Sequence, residues 1–99
     1  MVAIDAAQNV WFTNLHGASI TEIAGNGGTA TAGTALSPNG TGPGTGGFGL
    51  DAGLDEPYTI APDRSDNIWV SNESRDVLTM FFGLAAPTVT PLQPVPTAP

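Results

Sequence analysis

His16 is the single histidine of the chain and sits beside Gly17 in a polar stretch. A general base needs a partner to orient its ring, and no carboxylate stands at a spacing that would supply one, so an exposed loop position is the expectation. Asp5, Asp63 and Asp66 have the oxygen chemistry of a calcium loop. They lack its alternating ligand spacing and its distant glutamate, so turn stabilisation is expected instead. Trp11 and Trp69 present faces on which a sugar or other planar ligand stacks. Their place inside β-rich runs predicts core packing for both. Gly42-Pro43-Gly44-Thr45-Gly46-Gly47 satisfies G-x-G-x-x-G. Dinucleotide binding requires that motif between a strand and a helix, and no helical pattern follows, so the match is compositional. Asn39-Gly40-Thr41 and Asn72-Glu73-Ser74 fit the glycosylation sequon, and Pro91-Leu92-Gln93-Pro94 fits P-x-x-P. The first has meaning only in a eukaryotic secretory route, and a linker or chain end explains the second. No catalytic, cofactor-binding or metal-binding residue is assigned from the sequence.

The elements that position these side chains come from an internal repeat. Shifting the chain by 58 positions aligns two islands without a gap. Val2-Ala3-Ile4-Asp5 meets Ile60-Ala61-Pro62-Asp63, and Asn9-Val10-Trp11-Phe12-Thr13-Asn14 meets Asn67-Ile68-Trp69-Val70-Ser71-Asn72. Ile20-Thr21-Glu22-Ile23 meets Leu78-Thr79-Met80-Phe81, and Gly25 meets Gly83. A register that holds Asn-x-Trp-x-x-Asn over both islands marks a true repeat, and repeats decide fold before any other feature.

Each unit reads as strands. Val10-Trp11-Phe12 and Ile68-Trp69-Val70 are short β-branched and aromatic runs bounded by turn formers. Apolar residues on both faces predict strands covered on both sides. Turns are expected at 5–9 and 63–67, and third strands at about Ser19–Ile23 and 77–82. Residues 58–61 would open the second unit, and Thr34-Ala35-Leu36-Ser37 is the best candidate for a fourth strand in the first. The expected organisation is a first incomplete blade at 1–23, a Gly/Thr-rich connection at 24–56, a second blade at 57–86 and a Pro-rich tail at 87–99.

Pro57-Tyr58-Thr59-Ile60-Ala61-Pro62-Asp63 followed by Asn67-Ile68-Trp69-Val70-Ser71-Asn72 resembles the P-x-x-I-A-x-D-x-x-G-N-x-W-V-x-N repeat of NHL-type propellers, and Val2 to Asn14 matches it without the opening proline. Gly83 to Leu92 resembles the segment that closes the last blade in secreted bacterial members. The resemblance is to the NHL-repeat and streptogramin-lyase-like (virginiamycin B lyase-like) family. It implies an all-β partial β-propeller of about two antiparallel blades, carrying a Gly-rich insert and a Pro-rich tail. Gln8 and Asp66 stand where the family turn has glycine, so both are expected to adopt left-handed backbone, at a cost for glutamine. Pro62 donates no ladder hydrogen bond and implies an edge strand or a bulge. Streptogramin lyases work through histidine and acidic residues around magnesium. Those motifs are not recognisable here, so the resemblance carries over no catalytic residue and no cofactor.

Composition narrows the functions. Nine acidic residues, two arginines (Arg64 and Arg75) and no lysine give a net charge of −7. Such a chain repels phosphate backbones and anionic lipid surfaces, which disfavours nucleic acid and membrane partners. No apolar run approaches the ~20 residues of a membrane-spanning helix. The low-charge, cysteine-free, Gly/Thr/Ala-rich composition suits an extracytoplasmic or secreted bacterial protein, whose signal would lie upstream. Two small apolar islands must offset roughly 1–2 kcal/mol of backbone entropy per ordered residue, so an isolated monomer is expected to be marginal. The partners expected are further propeller blades or copies of the chain, with a protein or carbohydrate as ligand. A structural or binding scaffold is therefore the expected function, and the alternative is a piece of a lyase-like enzyme whose catalytic groups lie on other blades.

Overall fold

The computed structural model describes residues 1–40 and 46–86. Six strands form two three-stranded antiparallel sheets, and no helix occurs among the described residues. The first sheet contains β1 (Val2–Ile4), β2 (Val10–Asn14) and β3 (Ser19–Ile23). The second contains β4 (Pro57–Pro62), β5 (Ile68–Asn72) and β6 (Val77–Phe81). The repeat register survives in three dimensions. Trp11 pairs with Ala3 and Glu22, and Trp69 pairs with the equivalent Ala61 and Met80.

Directly paired residues share a sheet face, so the ladders define which side chains act together. In the first sheet Ala3, Trp11, Thr13, Ile20 and Glu22 lie on one face, and Val2, Ile4, Val10, Phe12, Thr21 and Ile23 on the other. In the second sheet Ile60, Ile68, Val70 and Phe81 share a face opposite Trp69. β4 packs over β1 and β2, so the Trp11 face of the first sheet meets the Ile60–Ile68–Val70 face of the second. Trp11, Ile20, Ile60, Ile68 and Val70 are buried there together with Leu54 and Ala85. Burying a side chain of this size contributes about 1.5–3 kcal/mol, which makes the joint between the sheets the principal core. The two units stack face to face with unlike faces in contact.

The stack corrects two expectations. Trp11 is completely buried, whereas Trp69 is only half-buried. The second sheet covers Trp11, and Phe48 from the connection stacks on its ring at 5.9 Å between centroids. Among the described residues no third sheet lies over Trp69. Coverage of each central strand on both sides is thus realised on one side only. Residues 34–37 are not a strand either. Ala35 makes an isolated bridge to Ile23, and Phe48 makes another to Ile20. The connection therefore follows the free edge of β3 at two points, with Leu36 N donating to Glu22 O at 2.8 Å and Phe48 N to Ile20 O at 2.8 Å. Glycines spaced through 24–56 leave no alternating apolar run to sustain a continuous ladder.

Pro62 ends an edge strand, and the β4–β5 register shifts between Pro57 and Ile60. The edge position suits a residue that lacks a donor, whereas the irregularity lies nearer the other end of β4 and Pro62 itself pairs in register with Ile68. Gln8 and Asp66 both take positive φ, 67° and 63° respectively. The two turns thus share one backbone solution although neither has glycine at that position.

Candidate functional site

The repeated turns explain what the paired aspartates do. Asp5 Oδ1 accepts from the amides of Ala7 and Asn9, both at 2.9 Å, while its Oδ2 accepts from the Trp11 indole Nε1 at 2.7 Å. Asp63 repeats the arrangement: Oδ1 accepts from Ser65 N at 2.8 Å and Asn67 N at 3.0 Å, and Oδ2 from Trp69 Nε1 at 2.8 Å. One carboxylate closes the turn and fixes the tryptophan rotamer of the next strand. The asparagines complete the device. Asn9 Oδ1 accepts from Gly25 N at 3.2 Å, and Asn67 Oδ1 from Gly83 N at 2.7 Å. Each turn is thereby tied to the residues leaving the third strand. The Trp69 indole, followed by the Asn67 amide, holds the Asp63 carboxyl down to a pKa of about 2.

The second asparagine of each motif also has a repeated role. Asn14 Nδ2 donates to Ser19 Oγ and Thr21 Oγ1, and Asn72 Nδ2 to Val77 O and Thr79 Oγ1. These bonds lock the hairpins β2–β3 and β5–β6. The spacing Asp-x5-Trp-x2-Asn is a folding device, and only the partners' identities at its centre required coordinates.

Glu22 is the site residue that sequence reasoning missed. It stands where the second unit has Met80, and it is buried on the Trp11 face of β3. Burial, reinforced by repulsion from Asp5, pushes its carboxyl up to about 7, against the hydrogen bond that Asn9 Nδ2 donates to its Oε2 at 3.1 Å. Beside it opens a cleft of about 670 Å³ between the first sheet, the start of the connection and the residues after β6. Asn9, Glu22, Gly25, Leu36, Phe48 and Leu84 are among its lining residues. The cleft joins a protonatable carboxyl, an amide and an aromatic ring to an apolar wall. Its signal in the sequence was a polar-for-apolar difference between the repeats, Glu22 against Met80.

The other candidates do not converge on this cleft. His16 is exposed in the β2–β3 turn. Asp66 serves the left-handed turn position, and Asp5 and Asp63 are engaged as described. No group of three or more His, Cys, Asp or Glu side chains converges among the described residues. Asn72 is buried and bonded, which removes it as a glycan acceptor, and Asn39 is exposed. Gly42 to Thr45 of the G-x-G-x-x-G match and the whole of Pro91 to Pro94 lie outside the described residues. Arg75 pairs with Asp55 at 3.1 Å on the surface, tying the β5–β6 turn to the end of the connection.

Comparison with protein-family models, with curated proteins and with solved structures finds no match to this chain. Among the described residues no helix is long and apolar enough to cross a membrane.

Proposed function

We propose that this chain is a two-unit stretch of an NHL-type β-propeller that acts as a binding scaffold, with the cleft beside Glu22 as its ligand-facing cavity. One observation carries the reading: two equivalent sheets, each organised by the same Asp–Trp turn, stack with unlike faces in contact. Sheets that stack in this sense add units around an axis, which is the principle of propeller architecture. The scaffold role is supported by the use made of the carboxylates. Asp5 and Asp63 are spent on turns, and His16 is exposed. The remaining buried acid, Glu22, lines a cavity whose walls are mixed polar and apolar, the character of a ligand site.

Two measurements test this together. Nuclear Overhauser contacts between the Trp11 ring and the methyls of Ile60 and Ile68 are expected in the full chain, and their absence removes the stack. Thermal unfolding is expected to be unchanged by millimolar magnesium chloride beyond the effect of matched ionic strength. A specific magnesium-dependent rise in Tm would instead favour the lyase-like alternative.

A further inference from the structure

The joint between the two sheets contains more information than the joint itself, because each sheet also displays the face its neighbour uses. On the first sheet the outward face carries Val2, Ile4, Val10 and Phe12, the repeat equivalents of Ile60, Pro62, Ile68 and Val70. Val2 is 62 % exposed and Ile4 65 %. On the second sheet the outward face carries Ala61, Trp69, Leu78 and Met80, the equivalents of Ala3, Trp11, Ile20 and Glu22. Leu78 is 60 % exposed. The chain therefore exposes both halves of a joint that it has already built once inside itself.

We propose that a second copy of this chain docks its Val2–Ile4–Val10–Phe12 face onto the Trp69–Leu78–Met80 face, continuing the stack head to tail. The proposal rests on the stacked-scaffold reading above and adds its partner. Neither face carries a charged side chain, so the net charge of −7 opposes association only from a distance. Salt screens such repulsion. Met80 also removes the carboxyl that Glu22 places at the edge of the internal joint, and its flexible thioether adapts to the larger Phe12 standing where Val70 does. A contact of this kind joins unlike surfaces, so it leaves one free face of each type at every stage until a ring closes.

The test uses the full chain and two single-face variants, Ile4→Lys and Leu78→Lys, at exposed positions. Light scattering on the wild-type chain is expected to give a multiple of 10.0 kDa, with the associated fraction rising with concentration and with sodium chloride. Each variant alone is expected at 10.0 kDa, with the circular dichroism of the wild type. An equimolar mixture is expected to form a heterodimer, because the intact Trp69 face of one variant meets the intact Val10 face of the other. A wild-type chain that stays monomeric at millimolar concentration overturns the proposal, as does either variant self-associating or the mixture failing to pair. If the cross-sheet Overhauser contacts persist in such a monomer, the self-docking idea alone is lost. If those contacts are also missing, the scaffold reading falls with it.

Discussion

Replacing Asp5 with asparagine isolates the contribution of one oxygen. Asp5 accepts three N–H groups, two backbone amides on Oδ1 and the Trp11 indole on Oδ2. Asparagine has the same shape but a single acceptor. If its oxygen serves the turn, its amide nitrogen faces the indole N–H across the 2.7 Å that the native bond occupies. If it turns the other way, two turn amides lose their partner. Either way a donor is left unpaired at a residue only 6 % exposed, beside a tryptophan at 0 %. A buried unsatisfied donor costs about 1–3 kcal/mol. For a domain of this size that corresponds to a fall in Tm on the order of 5–20 °C. Asp63→Asn makes the same chemical change at the half-exposed Trp69, where water reaches the indole, and a smaller fall is expected. Urea and thermal unfolding followed by far-ultraviolet circular dichroism compare the two variants within one molecule. Equal falls, or a larger one for Asp63→Asn, would refute the reasoning that burial sets the difference between the repeated turns.

Other expected outcomes follow from single residues. Glu22 has a folded pKa raised from 4.5 to about 7, so its carboxyl is tolerated below 4.5 and penalised increasingly as pH rises to 7. Glu22→Gln should match the wild type near pH 4.5 and exceed it at pH 8 by on the order of 1–3 kcal/mol in denaturant titrations. Asp63, lowered from 3.8 to about 2, stabilises above 3.8 and loses that contribution as pH falls through 2. Acid titrations of wild type and Asp63→Asn should therefore converge across that window. Gln8→Gly relieves a φ of 67° at an exposed turn position and should raise Tm, by an amount reflecting about 1 kcal/mol of left-handed strain less the added chain entropy. Asp66→Gly should gain less, since aspartate tolerates that region better. Gly25→Ala would set a Cβ 1.8 Å from the Gln8 carbonyl oxygen and should lower Tm well beyond the effect of a surface substitution. Gly83 has open space around it and a φ of 62°, so the equivalent glycine serves backbone geometry instead.

Much of the local architecture was determined by the sequence alone. The 58-residue register placed the six strands, the two turns and the equivalence of the paired tryptophans, because alternation and turn chemistry act over a few neighbouring residues. The left-handed backbone at Gln8 and Asp66 was expected only from the resemblance to a family turn that has glycine there. Tertiary structure decided the rest. Nothing in Trp11 or Trp69 tells which is covered, since coverage depends on the order in which whole sheets stack and on Phe48, far along the connection. The Glu22 cleft likewise depends on where residues 24–30 and 84–86 pass once the sheets have met. Hydrogen-bonded turns are short-range and repeat with the motif, whereas burial is a property of the assembled stack and breaks the symmetry between two nearly identical units.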